Sequence, residues 1–429
     1  MGETFHTIVT DPARCNGCVA CMRACPTDAI RTRSGLAEVR GLACIDCGAC
    51  VEACPRDALR AVTSTPADLA RFKVKVAIPS LALYGQFGPD VRPGQVLHAL
   101  KQVGFDRAYD VSWMCEMVGS ATDAYLSECQ GPWPKISTTC PAIVRLIQIR
   151  YPELLSHLLP IETPRELAAK LHRRRLASEL GLHPGEIGIF FITQCAAIMN
   201  SIVAPVGLDR SYMDGAIAIS ELYGPLRKAL KEHPGSEFDD AVSARGLGWA
   251  MGAGEVSSLR NSATIRIRGV GEVLEVFDRL ESGTFQGIDF IEAYTCSGGC
   301  LGGHLTITPR HVAQRSLERI ARRLGEGQQV KEEKVRSLLR EHFFDLHDEI
   351  DARPVQPLAG NLRQAIAVKQ EKDAMLQALP GKDCGACGAP DCAAFVDDIA
   401  RGEATFNQCV FVRLRELEEE SPADQGGET

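Results

Sequence analysis

The chain has 429 residues, 45% of them hydrophobic, and carries a formal net charge of −8 at pH 7. That length predicts two to four domains with real cores; the acidic balance argues against a nucleic-acid surface, and no run of eighteen apolar residues is present to span a membrane. Eighteen cysteines, clustered and beginning at Cys15 with no apolar leader before them, read as metal ligands in a reducing cytoplasm rather than as a disulfide framework.

Residues 1–68 predict a first, ferredoxin-like α+β domain. Cys15-x2-Cys18-x2-Cys21-x3-Cys25-Pro26 is repeated as Cys44-x2-Cys47-x2-Cys50-x3-Cys54-Pro55, and each half ends in the phrase Pro-x-Asp-Ala-aliphatic. This is the two-cluster ferredoxin spacing, in which the fourth cysteine of each run serves the other cluster. Cys15, Cys18, Cys21 and Cys54 are therefore expected on one 4Fe-4S cluster, and Cys44, Cys47, Cys50 and Cys25 on a second. Zinc or free thiols are the bland alternative.

Residues 69–308 predict an α/β domain. Apolar runs at 73–78, 187–193, 214–219 and 288–294 read as strands, with 105–111 also strand-like, and helical patterns such as 94–103 fall between them. Cys140, Cys195, Cys296 and Cys300 each follow such a run, where open α/β sheets keep their ligands. The last two sit in Cys296-Ser297-Gly298-Gly299-Cys300-Leu301-Gly302-Gly303, whose glycines let the backbone fold tightly around a cluster.

From about Thr308 the composition becomes charged, and a helical extension is expected over 309–378, with a break at Pro354 and Pro357. Residues 379–415 form a last module, Cys384-x2-Cys387-x4-Cys392-x16-Cys409, predicted to hold a 4Fe-4S cluster, although its ligand count also admits zinc. An acidic tail, 416–429, reads as solvated.

On these motifs residues 73–306 resemble the large-subunit domain of the FeFe (iron-only) hydrogenases. The likeness extends to Ala77-Ile78-Pro79-Ser80, Gly104-Phe105-Asp106 and Tyr151-Pro152-Glu153-Leu154-Leu155. It implies that Cys140, Cys195, Cys296 and Cys300 hold a cubane, with Cys300 bridging to a diiron subsite. It also marks departures. Thr139 stands where active members carry a proton-relaying cysteine, Thr193 and Gln194 replace a Met-Pro pair, and Ile198 replaces a lysine that contacts a cyanide ligand. His304 follows the last loop where the family continues with glycine. The C-terminal module is similar to the small 4Fe-4S domain in the B subunit of Rnf-type ferredoxin oxidoreductases and in corrinoid iron–sulfur proteins.

The resemblance implies an anaerobic, cytoplasmic electron-transfer or redox-sensing protein with four 4Fe-4S clusters, working with a ferredoxin or an oxidoreductase subunit, or within a larger redox complex. The alternative is a divergent or sensory FeFe hydrogenase, and a weaker one is an iron–sulfur assembly factor. Cys115 and Cys129 are left over and read as free thiols, although Cys115 is placed to line the central cavity. His304 reads as structural or as a hydrogen-bonding neighbour of a ligand. Gly246, Gly248, Gly252 and Gly254 lack the context of a dinucleotide loop. The basic run Lys170 to Arg175 reads as a solvated helix face, or else as a dock for an acidic redox partner.

Overall fold

The computed structural model describes residues 5–233, 242–260, 262–325, 330–353 and 361–420. The chain packs as two compact units. One comprises residues 5–8, Ile45–Gly48 and Ala61–Arg353; the other comprises Val9–Cys44, Ala49–Arg60 and the described residues from 361 onward.

In the large unit, the strand Val74–Pro79 lies between Arg107–Ala108 and Ile187–Thr193, and Gly215–Ala218 completes a four-stranded sheet whose every pairing is parallel. Val76 faces Arg107 on one side and Ile189 on the other, and Phe190 faces Gly215. All seven residues of Ile187–Thr193 are buried, as a parallel strand covered on both faces must be. A three-stranded parallel sheet has Phe290–Tyr294 at its centre, between Thr264–Arg268 and Lys135–Ile136.

Helices cover these sheets. Pro93–Gln102, Pro141–Arg150 and Pro164–Leu180 each begin on a proline, which lacks an amide that the first turn leaves unbonded anyway. Val76, Ile78, Leu167, Ile189, Phe190 and Ile217 form the core of the first sheet. Ile136, Ile143, Ile147, Val273, Phe277 and Ile291 form that of the second. Arg310–Leu324 and Glu332–Arg340 pack on the large unit through Ala313, Leu317, Ile320 and Val335. Among the described residues no helix is long and apolar enough to cross a membrane.

Two expectations need correction. The strand-like stretch 105–111 pairs only at Arg107–Ala108, because the Asp110 carboxylate accepts the Ser112 amide at 2.7 Å and turns the chain into the helix Ser112–Glu128. The basic run is not a solvated face, since Lys170, His172 and Arg173 are buried while Arg174 and Arg175 are exposed. Arg173 donates to the Pro184, Ile187 and Tyr212 carbonyls and to Asp214; Lys170 lies over the Tyr212 and Phe343 rings. Within the expected first domain, Ile45 is buried in the core of the second sheet and Asp46 pairs with Arg145. Of the expected helical extension, Leu362–Ala378 lies in the small unit.

The small unit contains the antiparallel hairpin of Ile30–Arg33 and Leu36–Val39 and the helices Leu362–Ala378, Cys392–Ala400 and Val410–Glu420. Asp398 is fully buried and receives Arg31 at 2.7 Å, Arg33 at 2.5 Å and Arg40 at 2.9 Å. The Thr32 amide donates to the Gly388 carbonyl at 2.9 Å, seating the cysteine loop 384–392 on the hairpin. Residues 416–420 continue the last helix; Pro354, Pro357 and the remainder of the acidic tail lie outside the described residues.

Candidate metal centre

The central thiols stand at the ends of parallel strands. Cys140 follows Lys135–Ile136 and caps Pro141–Arg150; Cys195 follows Ile187–Thr193 and caps Ala196–Val203. Cys296 follows Phe290–Tyr294, and Cys300 lies in the single turn Gly299–Gly302.

Side chains and glycines fix these loops. The Thr193 hydroxyl accepts the Cys195 amide at 3.1 Å and donates to the Cys195 carbonyl at 2.9 Å. The buried Arg165 guanidinium donates to the Thr139 carbonyl at 3.0 Å. Gly299 has φ +69°, and a Cβ on it would lie 2.6 Å from the Gly252 amide nitrogen. The glycine-rich stretch 246–254 thus serves close packing against the cysteine loop.

The four thiols lie near enough to act on one another. Burial, then the Cys140 thiol, pushes Cys195 up to about 12. Burial first, and then Cys195 and Cys140, pushes Cys296 and Cys300 well above the ordinary thiol range. Such a group needs a neighbouring cation to hold its sulfurs as thiolates, which is what bound iron supplies. The donor set of four converging thiols on glycine-cleared loops fits a cubane.

Beside Cys195 and Cys300 opens a cavity of about 570 Å³ of empty space, part of it open to solvent; Cys115, Thr139, Ile198 and Tyr294 are among its walls. Gln194 also lines it and hydrogen-bonds Cys300. Burial, followed by Asp110, Glu255 and Cys300, raises the Cys115 thiol, so Cys115 does face the cavity. Cys129 lies elsewhere, with its sulfur 3.7 Å from the Tyr125 hydroxyl.

No sequence motif marks Glu255, which lies behind Thr139 and is 3% exposed. It accepts the Ser137 hydroxyl at 2.8 Å and the Tyr294 hydroxyl at 3.3 Å. Burial, then the neighbouring Glu292, pushes its carboxyl up to about 8; burial pushes Glu292 up to about 7. His304 Nε2 accepts the Ala196 amide at 3.2 Å, which puts the proton of the neutral ring on Nδ1. Burial lowers this histidine to about 4.

In the small unit, Cys15, Cys18, Cys21 and Cys54 ring one cavity with about 300 Å³ of empty space. The fourth thiol comes from the second motif, as the ferredoxin spacing requires. Cys54 Sγ accepts the Ala58 amide at 3.2 Å, and Cys25 Sγ accepts the Ala29 amide at 3.2 Å. Cys44 and Cys50 are buried in the same unit. Cys47 belongs to the large unit, where Cys296 feels its charge. In the last module Cys387, Cys392 and Cys409 share one apolar cluster, and burial, followed by Cys384 and Cys409, raises Cys387. Among the described residues no three His, Cys, Asp or Glu side chains close around a single ion.

Comparison with known proteins agrees with this arrangement. Residues 73–244 match the family described as iron only hydrogenase large subunit, C-terminal domain; residues 7–55 match a 4Fe-4S dicluster domain and residues 379–411 an Fe-S cluster domain. Iron hydrogenase 1 of Clostridium pasteurianum is 23% identical over 298 residues, covering 58% of this chain and 51% of that protein. The periplasmic [Fe] hydrogenase large subunit of Nitratidesulfovibrio vulgaris is 28% identical over 214 residues, covering 46% of this chain and 51% of that protein. The chain thus spans about half the length of the curated relatives it matches. A solved apo FeFe hydrogenase variant from Chlamydomonas reinhardtii superposes with a TM-score of 0.50 at 16% identity, over 68% of this chain and 97% of that one, a likeness of fold. These matches mark an iron–sulfur protein with a hydrogenase-like α/β domain. The first match ends before Cys296 and Cys300, which the fold nevertheless brings to Cys195.

Proposed function

We propose that the chain moves single electrons, or reports redox state, through four 4Fe-4S clusters, one of them in a hydrogenase-like domain whose catalytic socket has been remodelled. Cys15, Cys18, Cys21 and Cys54 hold the first; Cys44, Cys47, Cys50 and Cys25 the second; Cys140, Cys195, Cys296 and Cys300 the central one; Cys384, Cys387, Cys392 and Cys409 the last. Such clusters supply one-electron redox steps whose potentials follow burial and hydrogen bonding to sulfur. A redox protein, a ferredoxin or an oxidoreductase subunit, is the partner.

One observation carries this reading. The four central thiols converge while the adjoining cavity is walled by Thr139 and Ile198, where active relatives need a proton relay and a donor to cyanide. A buried polar ligand left unpaired there costs about 1 to 3 kcal/mol. The second reading, a divergent FeFe hydrogenase interconverting hydrogen with protons and electrons, is favoured by the room retained beside Cys300.

Anaerobic iron and sulfide quantitation with infrared spectroscopy, after co-expression with the hydrogenase maturation proteins, separates the two. The proposal expects four cubanes' worth of iron and no carbonyl or cyanide bands. Those bands would establish the hydrogenase.

A further inference from the structure

The wall of the central cavity hides two carboxyl groups that no cysteine motif announces. Glu292 is fully buried at the middle of Phe290–Tyr294, and Glu255 is almost as deep. The Val256 amide donates to Glu292 Oε2 at 3.0 Å, while Glu292 Oε1 has no partner among the described residues. The Tyr294 hydroxyl donates to Glu255 and also favours the charged form of Glu292. Two carboxylates sharing one buried site do not both ionise near neutral pH, so the pair keeps a proton.

The surrounding groups decide where that proton goes. Ser137, Thr139 and Tyr294 hydrogen-bond Glu255, and Cys115 feels its charge from the helix Ser112–Glu128. Thr139, Tyr294 and Cys115 all line the cavity. The cation acting on Glu292 is Arg266, its register partner on the adjacent strand, and Arg266 is exposed. The pair therefore stands one strand from solvent on one side and one hydroxyl from the cavity on the other.

We infer that Glu255 and Glu292 form a proton store for the central site, taking up one proton from solvent when one electron arrives there and releasing it when the electron leaves. This rests on the reading of Cys140, Cys195, Cys296 and Cys300 as a cubane site. The only bond made is O–H on a carboxylate, and the electron comes from a low-potential one-electron donor. Proton and electron enter together, so the site gains no net charge inside a low-dielectric wall, where an unmatched charge is costly. Glu255 and Glu292 act here as positioning residues, reaching the site through Ser137, Thr139 and Tyr294.

The test is a dithionite redox titration of the purified full chain, followed by EPR between pH 6 and 8. The central midpoint should move so that the reduced-to-oxidised ratio changes about tenfold per pH unit, which is 59 mV for one electron. Glu255→Gln keeps the side-chain shape and should flatten that dependence at unchanged iron content, and Glu292→Gln provides the same comparison should the first variant fold poorly. A protonated-carboxyl stretch in the infrared at pH 7, weakened in each variant and lost when both glutamates are replaced, is the second expected readout. A wild-type midpoint independent of pH, or a slope surviving in both variants, overturns the inference alone. A chain that shows the carboxyl stretch but no central-cluster signal overturns the reading of the site and the inference with it.

Discussion

Arg145 Nη1 lies 3.4 Å from Asp46 Oδ2, with both side chains essentially excluded from solvent. Arg145 belongs to the helix that Cys140 caps, and Asp46 immediately precedes Cys47. Asp46 also accepts the Thr7 amide at 2.8 Å and its hydroxyl at 2.7 Å. Removing one member of a buried ion pair strands the other charge. Arg145→Met should therefore destabilise the large unit by about 3 kcal/mol, read as a lowered denaturation midpoint. An unchanged midpoint would show that Thr7 and Asn200, whose side-chain amide also donates to Asp46, suffice for it.

The carboxyl pair makes stability depend on pH in a defined direction. Glu255 and Glu292 sit at about 8 and about 7, against an ordinary 4.5. Between pH 4.5 and 8 the folded chain thus holds protons that the unfolded chain has lost, so stability is greatest at the acid end and falls as pH rises. Denaturant titrations should show a loss of several kcal/mol across that window, each pKa unit being worth about 1.4 kcal/mol. Glu255→Gln should make the curve flatter.

Cluster content should respond to single ligands in a local way. Cys195→Ala should remove about four irons per chain, one cubane, and leave the ferredoxin signals in place. Iron analysis and EPR check this, and loss of every cluster would contradict the separate sites.

Gly299→Ala introduces a Cβ 2.6 Å from the Gly252 nitrogen at a backbone angle that disfavours side chains. The left-handed geometry alone costs about 1 to 2 kcal/mol, and the backbone clash adds to it. The variant should lose the central cluster, measured by its EPR signal, while the four-thiol site at Cys15 remains loaded.

Asp398 gathers Arg31, Arg33 and Arg40 while fully buried. Asp398→Ala should cost the small unit about 3 to 5 kcal/mol and open the loop 384–392 to protease, seen as earlier cleavage in limited digestion.

What could be read from the sequence follows the reach of each interaction. Cysteine spacing is local, so the ferredoxin repeat was visible, and with it the nearness of Cys54 to Cys15, Cys18 and Cys21, as was the strand Ile187–Thr193 from its unbroken apolar run. Cys115 facing the cavity followed from its place after a short strand. Glu255 was invisible because its partners, Ser137, Tyr294 and Glu292, come from other segments and bear no motif. The burial of Arg173 escaped for a similar reason, since the carbonyls that satisfy it belong to residues 184, 187 and 212. Charge in a helix read alone looks solvated; whether it is depends on acceptors elsewhere. The assignment of Ile45–Gly48 to the large unit was equally hidden, because Arg145 lies 99 residues from Asp46.

The ring of Cys15, Cys18, Cys21 and Cys54 has a consequence for biosynthesis. A nascent chain cannot complete that ring until Cys54 has left the ribosome, and the central one stays open until Cys300 follows. The second ferredoxin set, Cys25 to Cys50, and the last module, Cys384 to Cys409, each lie within a short stretch of chain. A product terminated between Cys54 and Cys300 would therefore keep the first ring whole and leave Cys140, Cys195 and any emerged Cys296 as open, oxidisable thiols.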